Sequence, residues 1–202
     1  MLIEQIPEVF RRFLPGVIWR GDKTRKVIYL TFDDGPNPLN TPWLLDELDR
    51  LQIKATFFCI GGNVERHPDL YQEIIRRGHR VGVHGYAHVR GLFKDRKAFD
   101  EDCAKAASLI DSDLYRPPHG KLYIDQFKAM SKRYKVILWD VITRDYNPKL
   151  PPEKIYDIAV KYGRNGSIVV FHDSQKAMKN MRYAFPKAVE FWKQQGYQFE
   201  TL

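Results

Sequence analysis

Four short stretches of this 202-residue chain carry side chains able to hold a metal or move a proton. The first is YLTFDDGP at 29–36, where an apolar run ends in two adjacent carboxylates, Asp33 and Asp34, followed by Gly35 and Pro36. Consecutive side chains of an extended backbone point to opposite sides, so the pair does not readily share one proton. At a turn, Gly35 and Pro36 can splay the two carboxylates toward adjacent subsites, one for a metal and one for a base. Composition alone fits a plain turn equally well, because Asp, Gly and Pro all form turns. The second stretch, HGYAH, sets His84 and His88 four residues apart, on one face if the chain turns helically there. Neutral imidazoles ligate zinc and other first-row divalent ions, and two histidines with one aspartate leave positions open for water and substrate. In the third, VVFHDS, His172 leaves an apolar run with an ordinary pKa of about 6.5, suited to proton exchange at neutral pH. In the fourth, YRPPHG, the stiff Pro117-Pro118 pair holds Arg116, whose guanidinium suits a carboxylate partner. Read singly, His172 is also a satisfied strand-end histidine and Arg116 a surface arginine beside a proline turn.

The elements that must position these groups alternate almost from end to end. Strands are predicted at 27–32, 55–60, 80–84, 114–116, 135–140, 167–171 and 197–201. Several are continuous apolar runs, as parallel strands covered on both faces require. Thr41 reads as an N-cap with Pro42 at the first helical position, ahead of Leu44, Leu45, Leu48 and Leu51 at helical spacing. Pro68 opens a second helix that Gly78 closes. Further helices are predicted at 98–110, 125–133, 152–162 and 182–195. Without repeat, low-complexity tract or long linker, the chain reads as one domain over 1–202, with residues 1–25 an N-terminal extension. The class is α/β, as a barrel or a doubly wound sheet of about seven strand–helix units. In either, polar residues at the carboxyl ends of parallel strands (Asp33, Asp34, His84, Arg116, Asp140, His172, Asp173) converge on one face, where such folds hold ligands.

Bulk properties narrow the field. The net charge is +8 and the pI about 9.4, yet the basic residues are scattered in pieces such as RRF, KTRK, IIRRG and SKRYK. No basic block alternates with stacking aromatics, so a solvated basic surface is favoured over nucleic-acid binding. No apolar stretch approaches the roughly 18 residues of a membrane span. Glu4, Glu8, Arg11 and Arg12 make the first residues a poor signal peptide, and the expected location is cytoplasmic. Cys59 and Cys103 have neither metal spacing nor a disulfide framework, and Cys59 in ATFFCI reads as a small buried hydrophobe.

Together, TFDDGP, H-x-x-x-H, R-P-P-x-G and F-H-D, in that order over residues 31–173, resemble the polysaccharide deacetylase family, the NodB-homology group or carbohydrate esterase family 4. The resemblance implies a distorted, TIM-barrel-like (β/α) barrel of about seven parallel strands. It also implies a metal-dependent hydrolase that removes acetyl groups from N-acetylated amino sugars in a glycan or oligosaccharide. By the same resemblance Asp33 is the catalytic base, and Asp34, His84 and His88 bind one divalent ion, most often zinc, with cobalt, manganese or nickel as alternatives. His172 is the acid that protonates the departing amine, and Arg116 orients the base. Pro118, His119 and Gly120 border the substrate, with a backbone N–H near His119 in the oxyanion site. Val170 and Phe171 line the acetyl-methyl pocket. Trp139, Tyr86, Tyr123 and Tyr146 lie near the motifs, and at most two of them are expected to stack on sugar.

The pattern also departs from the family. Gly85 replaces a Ser or Thr, which is expected to loosen the loop carrying the two histidines. His119 stands where an aromatic is usual, and Ile142 where an acid is common. The carboxylate supporting His172 is then Asp145 or Asp140, with Asp145 preferred. A member that binds carbohydrate without turnover, or an O-acetyl esterase using the same site, are the alternatives.

Overall fold

Alternation along the first strand sets up the architecture. The computed structural model describes residues 4–89 and 96–202. In β1 (Val27–Asp33), every residue is buried. Ile28, Leu30 and Phe32 join the large core beneath the helices, while Val27 and Tyr29 join a second, smaller cluster on the opposite face. Covering both faces explains why the strand is a continuous apolar run until its end.

β1 lies at the centre of a wholly parallel sheet. It pairs with β2 (Thr56–Cys59), and β3 (Arg80–Val83), β4 (Leu114–Tyr115) and β5 (Lys135–Val136) follow outward on that side. On its other side lie β7 (Ser167–His172) and then β6 (Val141–Ile142). The short β8 (Gln198–Phe199) pairs with the first residues of β1. The resulting order is β5-β4-β3-β2-β1-β7-β6, with β8 off that path. Seven parallel strands curl into an incomplete barrel, as expected, and β8 is a small addition. The helices are α1 (Glu8–Arg11), α2 (Thr41–Arg50), α3 (Gly61–Arg66), α4 (Pro68–Arg76), α5 (Arg96–Ala107), α6 (Ile124–Met130), α7 (Pro152–Tyr162) and α8 (Met178–Gln194). They bury Leu44, Leu48, Ile74, Phe99, Ile155, Phe185 and Trp192 in the outer core.

Several local expectations are corrected. The predicted strand 135–140 is a strand only at its start: β5 ends at Val136, residues 137–140 cross over, and β6 begins at Val141 at the opposite end of the sheet order. Ile137 pairs with Ile18, whose carbonyl accepts from Leu138 N–H, so the N-terminal segment covers the seam. The Leu138 carbonyl accepts from Arg116 Nη2 and the Asp140 carboxylate from Arg164, partners that an apolar run does not reveal. Thr41 begins α2 and is not its cap. Its hydroxyl donates to Asp173 Oδ2 at 2.5 Å and accepts from the Asn37 N–H. α8 starts at Met178, one turn earlier than predicted, with Pro186 inside it. A short helix, α3 (Gly61–Arg66), and a 3-10 turn over Pro118–Gly120 lacked a recognised sequence signal.

Candidate active site

Because the strands are parallel, their carboxyl ends share one rim, and the polar motifs meet there. Asp33 ends β1 opposite His172, its register partner on β7. The next residue, Asp34, takes a left-handed backbone (φ 77°), which turns the second carboxylate out of the strand's alternation. Asn63 Nδ2 holds its carbonyl at 2.7 Å, and Ile60 N–H holds that of Gly35 at 2.9 Å. Gly35 is required by close approach, since a Cβ there would lie 2.5 Å from Asp173 Oδ2. The buried Asp173 carboxylate also accepts from Asn40 Nδ2 at 2.8 Å, and its N–H donates to the Asp33 carbonyl. Asp173 therefore ties the strand bearing His172 to the loop bearing Asp34. This role was not anticipated, although Asp173 stands beside His172 in the motif.

Asp34, His84 and His88 form a compact group whose donor atoms all lie within 4.8 Å of one another. Asp34 Oδ1 is 3.2 Å from His88 Nε2 and 3.7 Å from His84 Nε2. Such separations suit donors each about 2 Å from one shared ion. His84 Nδ1 lies 2.8 Å from the Arg116 carbonyl, so Nδ1 carries the proton and the Nε2 lone pair faces the group. Burial pushes the His84 imidazole below its ordinary value, toward the neutral form that ligates. Burial would raise Asp34, but the fields of His172, His84, His88 and His119 outweigh it and hold the carboxyl below its usual range. Asp34 Oδ1 is shielded from solvent and lacks a hydrogen-bond partner among the described residues. A buried, charged oxygen without a donor is costly, and a cation between it and the two imidazoles removes that cost. The donor set of one carboxylate and two imidazoles fits a divalent ion.

Two further pairs flank this group. Arg116 is fully buried, and its Nη1 donates to Asp33 Oδ1 at 2.5 Å and Thr31 Oγ1 at 2.8 Å, with its guanidinium over the Phe58 ring. Asp33 Oδ2 lies 3.9 Å from His84 Nε2, at the edge of the metal group. His172 Nδ1 donates to Asp145 Oδ1 at 2.7 Å, while Asp145 Oδ2 accepts from the His172 backbone N–H at 2.7 Å. Burial would lower His172, but the Asp145 charge and hydrogen bond, reinforced by Asp34 and Asp33, raise it to about 9. It is the protonated partner of the site at neutral pH.

The remaining expected residues divide. His119 is exposed, with φ 60° and its ring 4.6 Å from that of His88. Tyr146 meets His172 edge-on at 4.8 Å. Pro118 is buried, and Gly120 packs closely against the Trp139 ring. Val170 shares the inward alternation of His172. Phe171 does not line the site: it faces the helices, between Phe32 and Phe185, because strand neighbours point to opposite faces. Tyr86 has one face under the Lys105 ammonium, 3.7 Å from the ring centroid, and its hydroxyl donates to Glu65. Asp140 does not support His172. It lies beside Ser167 at the opposite end of β7, bound by Arg11 and Arg164. Ile142 sits on β6, and its backbone N–H donates to the Glu4 carbonyl.

A polysaccharide deacetylase family model matches residues 20–137. A curated peptidoglycan-N-acetylglucosamine deacetylase of Bacillus cereus is 33% identical over 195 residues, covering 92% of this chain and 91% of the relative. A chitooligosaccharide deacetylase of Rhizobium leguminosarum bv. trifolii is 32% identical over 155 residues, covering 72% of this chain and 71% of that one. Among solved structures, a peptidoglycan N-acetylglucosamine deacetylase in complex with an N-hydroxybenzamide superposes with a TM-score of 0.89 at 25% identity, covering 98% of this chain and 95% of the other.

Proposed function

The chain belongs to the polysaccharide deacetylase family, and we propose that it is a hydrolase removing the acetyl group from N-acetylglucosamine units of peptidoglycan or its fragments. The observation that carries this reading is the convergence, on one rim, of the Asp34–His84–His88 group with the Arg116-held Asp33 on one side and the Asp145-held His172 on the other. Peptidoglycan is taken as the substrate because the Bacillus cereus relative, matched over most of both chains, bears that name. Zinc is the ion proposed, from the carboxylate and imidazole donors.

Asp34, His84 and His88 would hold the ion, which when bound supplies a Lewis acid for the acetamide carbonyl and an acidified water. Asp33 is the base: Arg116 fixes Oδ1 and leaves Oδ2 facing the metal group, in reach of a proton on an attacking water. His172 is the acid: Asp145 holds Nδ1–H, so Nε2–H is the proton available to an amine, which leaves poorly unless protonated. The backbone N–H at His119, in the left-handed turn, would supply an oxyanion donor, while that of Gly120 donates to the Pro117 carbonyl at 2.9 Å.

Acetate release from N-acetylglucosamine oligomers and peptidoglycan fragments tests the proposal, using metal-free, zinc-loaded and cobalt-loaded protein. Metal-dependent release that Asp33→Asn reduces by at least a hundredfold is expected. Absence of release from every fragment despite one bound equivalent of metal would refute the substrate, and absence of both metal and release would refute the hydrolase.

A further inference from the structure

The loop that carries both histidines lacks the hydroxyl side chain that its motif leads one to expect at Gly85, yet five of its backbone groups are held by hydrogen bonds to other elements. His84 N–H donates to the Cys59 carbonyl at 2.9 Å. The carbonyls of Gly85 and Tyr86 accept from the first two N–H groups of α3, Gly61 at 2.9 Å and Gly62 at 3.0 Å. Among the described residues the N–H groups of Tyr86 and Ala87 have no backbone partner. Both donate to one side chain: Asp102 Oδ2 accepts from Tyr86 at 2.8 Å, and Asp102 Oδ1 accepts from Ala87 at 2.9 Å. Both carboxylate oxygens are thus engaged by consecutive amides between His84 and His88. Gly85 fits this arrangement. Its φ is 73°, and a Cβ there would stand 2.9 Å from Asp102 Oδ2, so any side chain at 85 would press on the carboxylate.

Asp102 is itself well anchored. It projects from the middle of α5, next to buried Cys103 and one turn from buried Phe99 and Ala106. Ala106 lies directly beneath Gly61, where a Cβ would come within 3.0 Å of its Cα. Lys105, on the same helix, covers the Tyr86 ring. The helix, the loop and the start of α3 therefore form one packed unit that ends in His88, whose left-handed backbone (φ 54°) is held against local preference.

We propose that Asp102 is the positioning residue of the metal-binding loop, its carboxylate clamping the Tyr86 and Ala87 amides so that His84 and His88 stay aimed at Asp34. The proposal rests on the metal-site reading above. It makes Gly85 part of the arrangement and not a sign of lost activity, because a carboxylate approaching through the space of the absent side chain holds the loop from outside. Partners that orient ligands are commonly worth about 10–100-fold in metal affinity.

Equilibrium competition titrations of zinc and cobalt into the metal-free protein over residues 1–202 test this, with melting of the same metal-free samples. Asp102→Asn presents an amide nitrogen to one of two N–H donors, so its Kd is expected to rise about 10–100-fold. Its cobalt absorption spectrum should shift while the metal-free melting temperature stays close to wild type. Asp102→Glu should recover part of the affinity, and Gly85→Ala, which crowds Oδ2, should weaken binding with Asp102 in place. Wild-type affinity and spectrum in Asp102→Asn would overturn the proposal, as would a loss that merely tracks the fraction of protein folded. Asp34→Asn separates the two readings. If wild type binds one equivalent that Asp34→Asn abolishes, the metal site stands whatever Asp102 does, and if wild type binds none, both fall.

Discussion

His172 owes its protonation state to Asp145. Its folded value of about 9 lies above the ordinary one, chiefly because Asp145 outweighs burial. The stabilisation from this pair is therefore complete below about pH 6.5 and is lost as pH rises through about 9. The same proton is the one offered to the leaving amine, so the basic limb of kcat/KM is expected near the upper end of that window. Asp145→Asn keeps the shape and removes the charge, leaving burial to push His172 down. The basic limb should then move to lower pH, with kcat reduced on the order of 10²–10⁴-fold. A pH–rate profile with an unmoved limb would show that His172 is not the group titrating.

At the scale of elements, His79 sits where α4 turns into β3. The Ala55 N–H donates to its Nδ1 at 3.3 Å, so Nε2 carries the proton, and that atom is buried without a partner among the described residues. The ring packs edge-on against Phe57 of β2. Burial pushes its pKa down to about 4, aided by Lys54 and Arg77 and opposed by Asp49. A histidine depressed in this way is neutral in the fold, so its contribution is whole above about pH 6.5 and drains away as pH falls toward 4. The loss amounts to roughly 3 kcal/mol at most. His79→Asn keeps an acceptor for Ala55 without the titration. Chemical denaturation at pH 7 and pH 4.5 should show wild type losing more stability than the variant between the two, and parallel losses would refute the assignment.

For the whole molecule, the end of the barrel opposite the site is fastened by Asp140. Fully buried, it accepts from Arg11 at 2.5 Å, from Arg164 at 2.8 and 2.9 Å and from Ser167 at 2.7 Å. Burial would raise its carboxyl, but those bonds hold it down at about 2. The bond to Arg11, the Ile18–Ile137 bridge and buried Trp19 tie the N-terminal segment to the sheet seam. Residues 1–202 are accordingly expected to unfold as one domain. Asp140→Ala leaves the mostly buried Arg11 and the partly exposed Arg164 facing no charge and should cost about 3 kcal/mol. Circular dichroism and tryptophan fluorescence should report a single coincident transition. Two separated transitions would mean that the first residues are a detachable extension.

The sequence by itself determined the class of the fold and the chemistry at its rim. Apolar runs ending in Asp33, His84, Arg116 and His172 specify parallel strands, and parallel strands bring those ends together. Strand alternation was also legible, and it excludes Phe171 from any face that His172 occupies. The choice between Asp140 and Asp145 needed the tertiary structure. The two lie five residues apart, and β6 runs parallel to β7 between them, leaving Asp140 beside the start of β7 and Asp145 beside its end. The broken strand at 135–140 and the clamp at Asp102 were likewise invisible. The first depends on side chains far along the chain, from Arg116 and Arg164, and the second on one acid among three in the run Asp100-Glu101-Asp102. Periodicity reports which face of an element is buried, whereas the partner of a polar group is fixed only when distant elements pack against it.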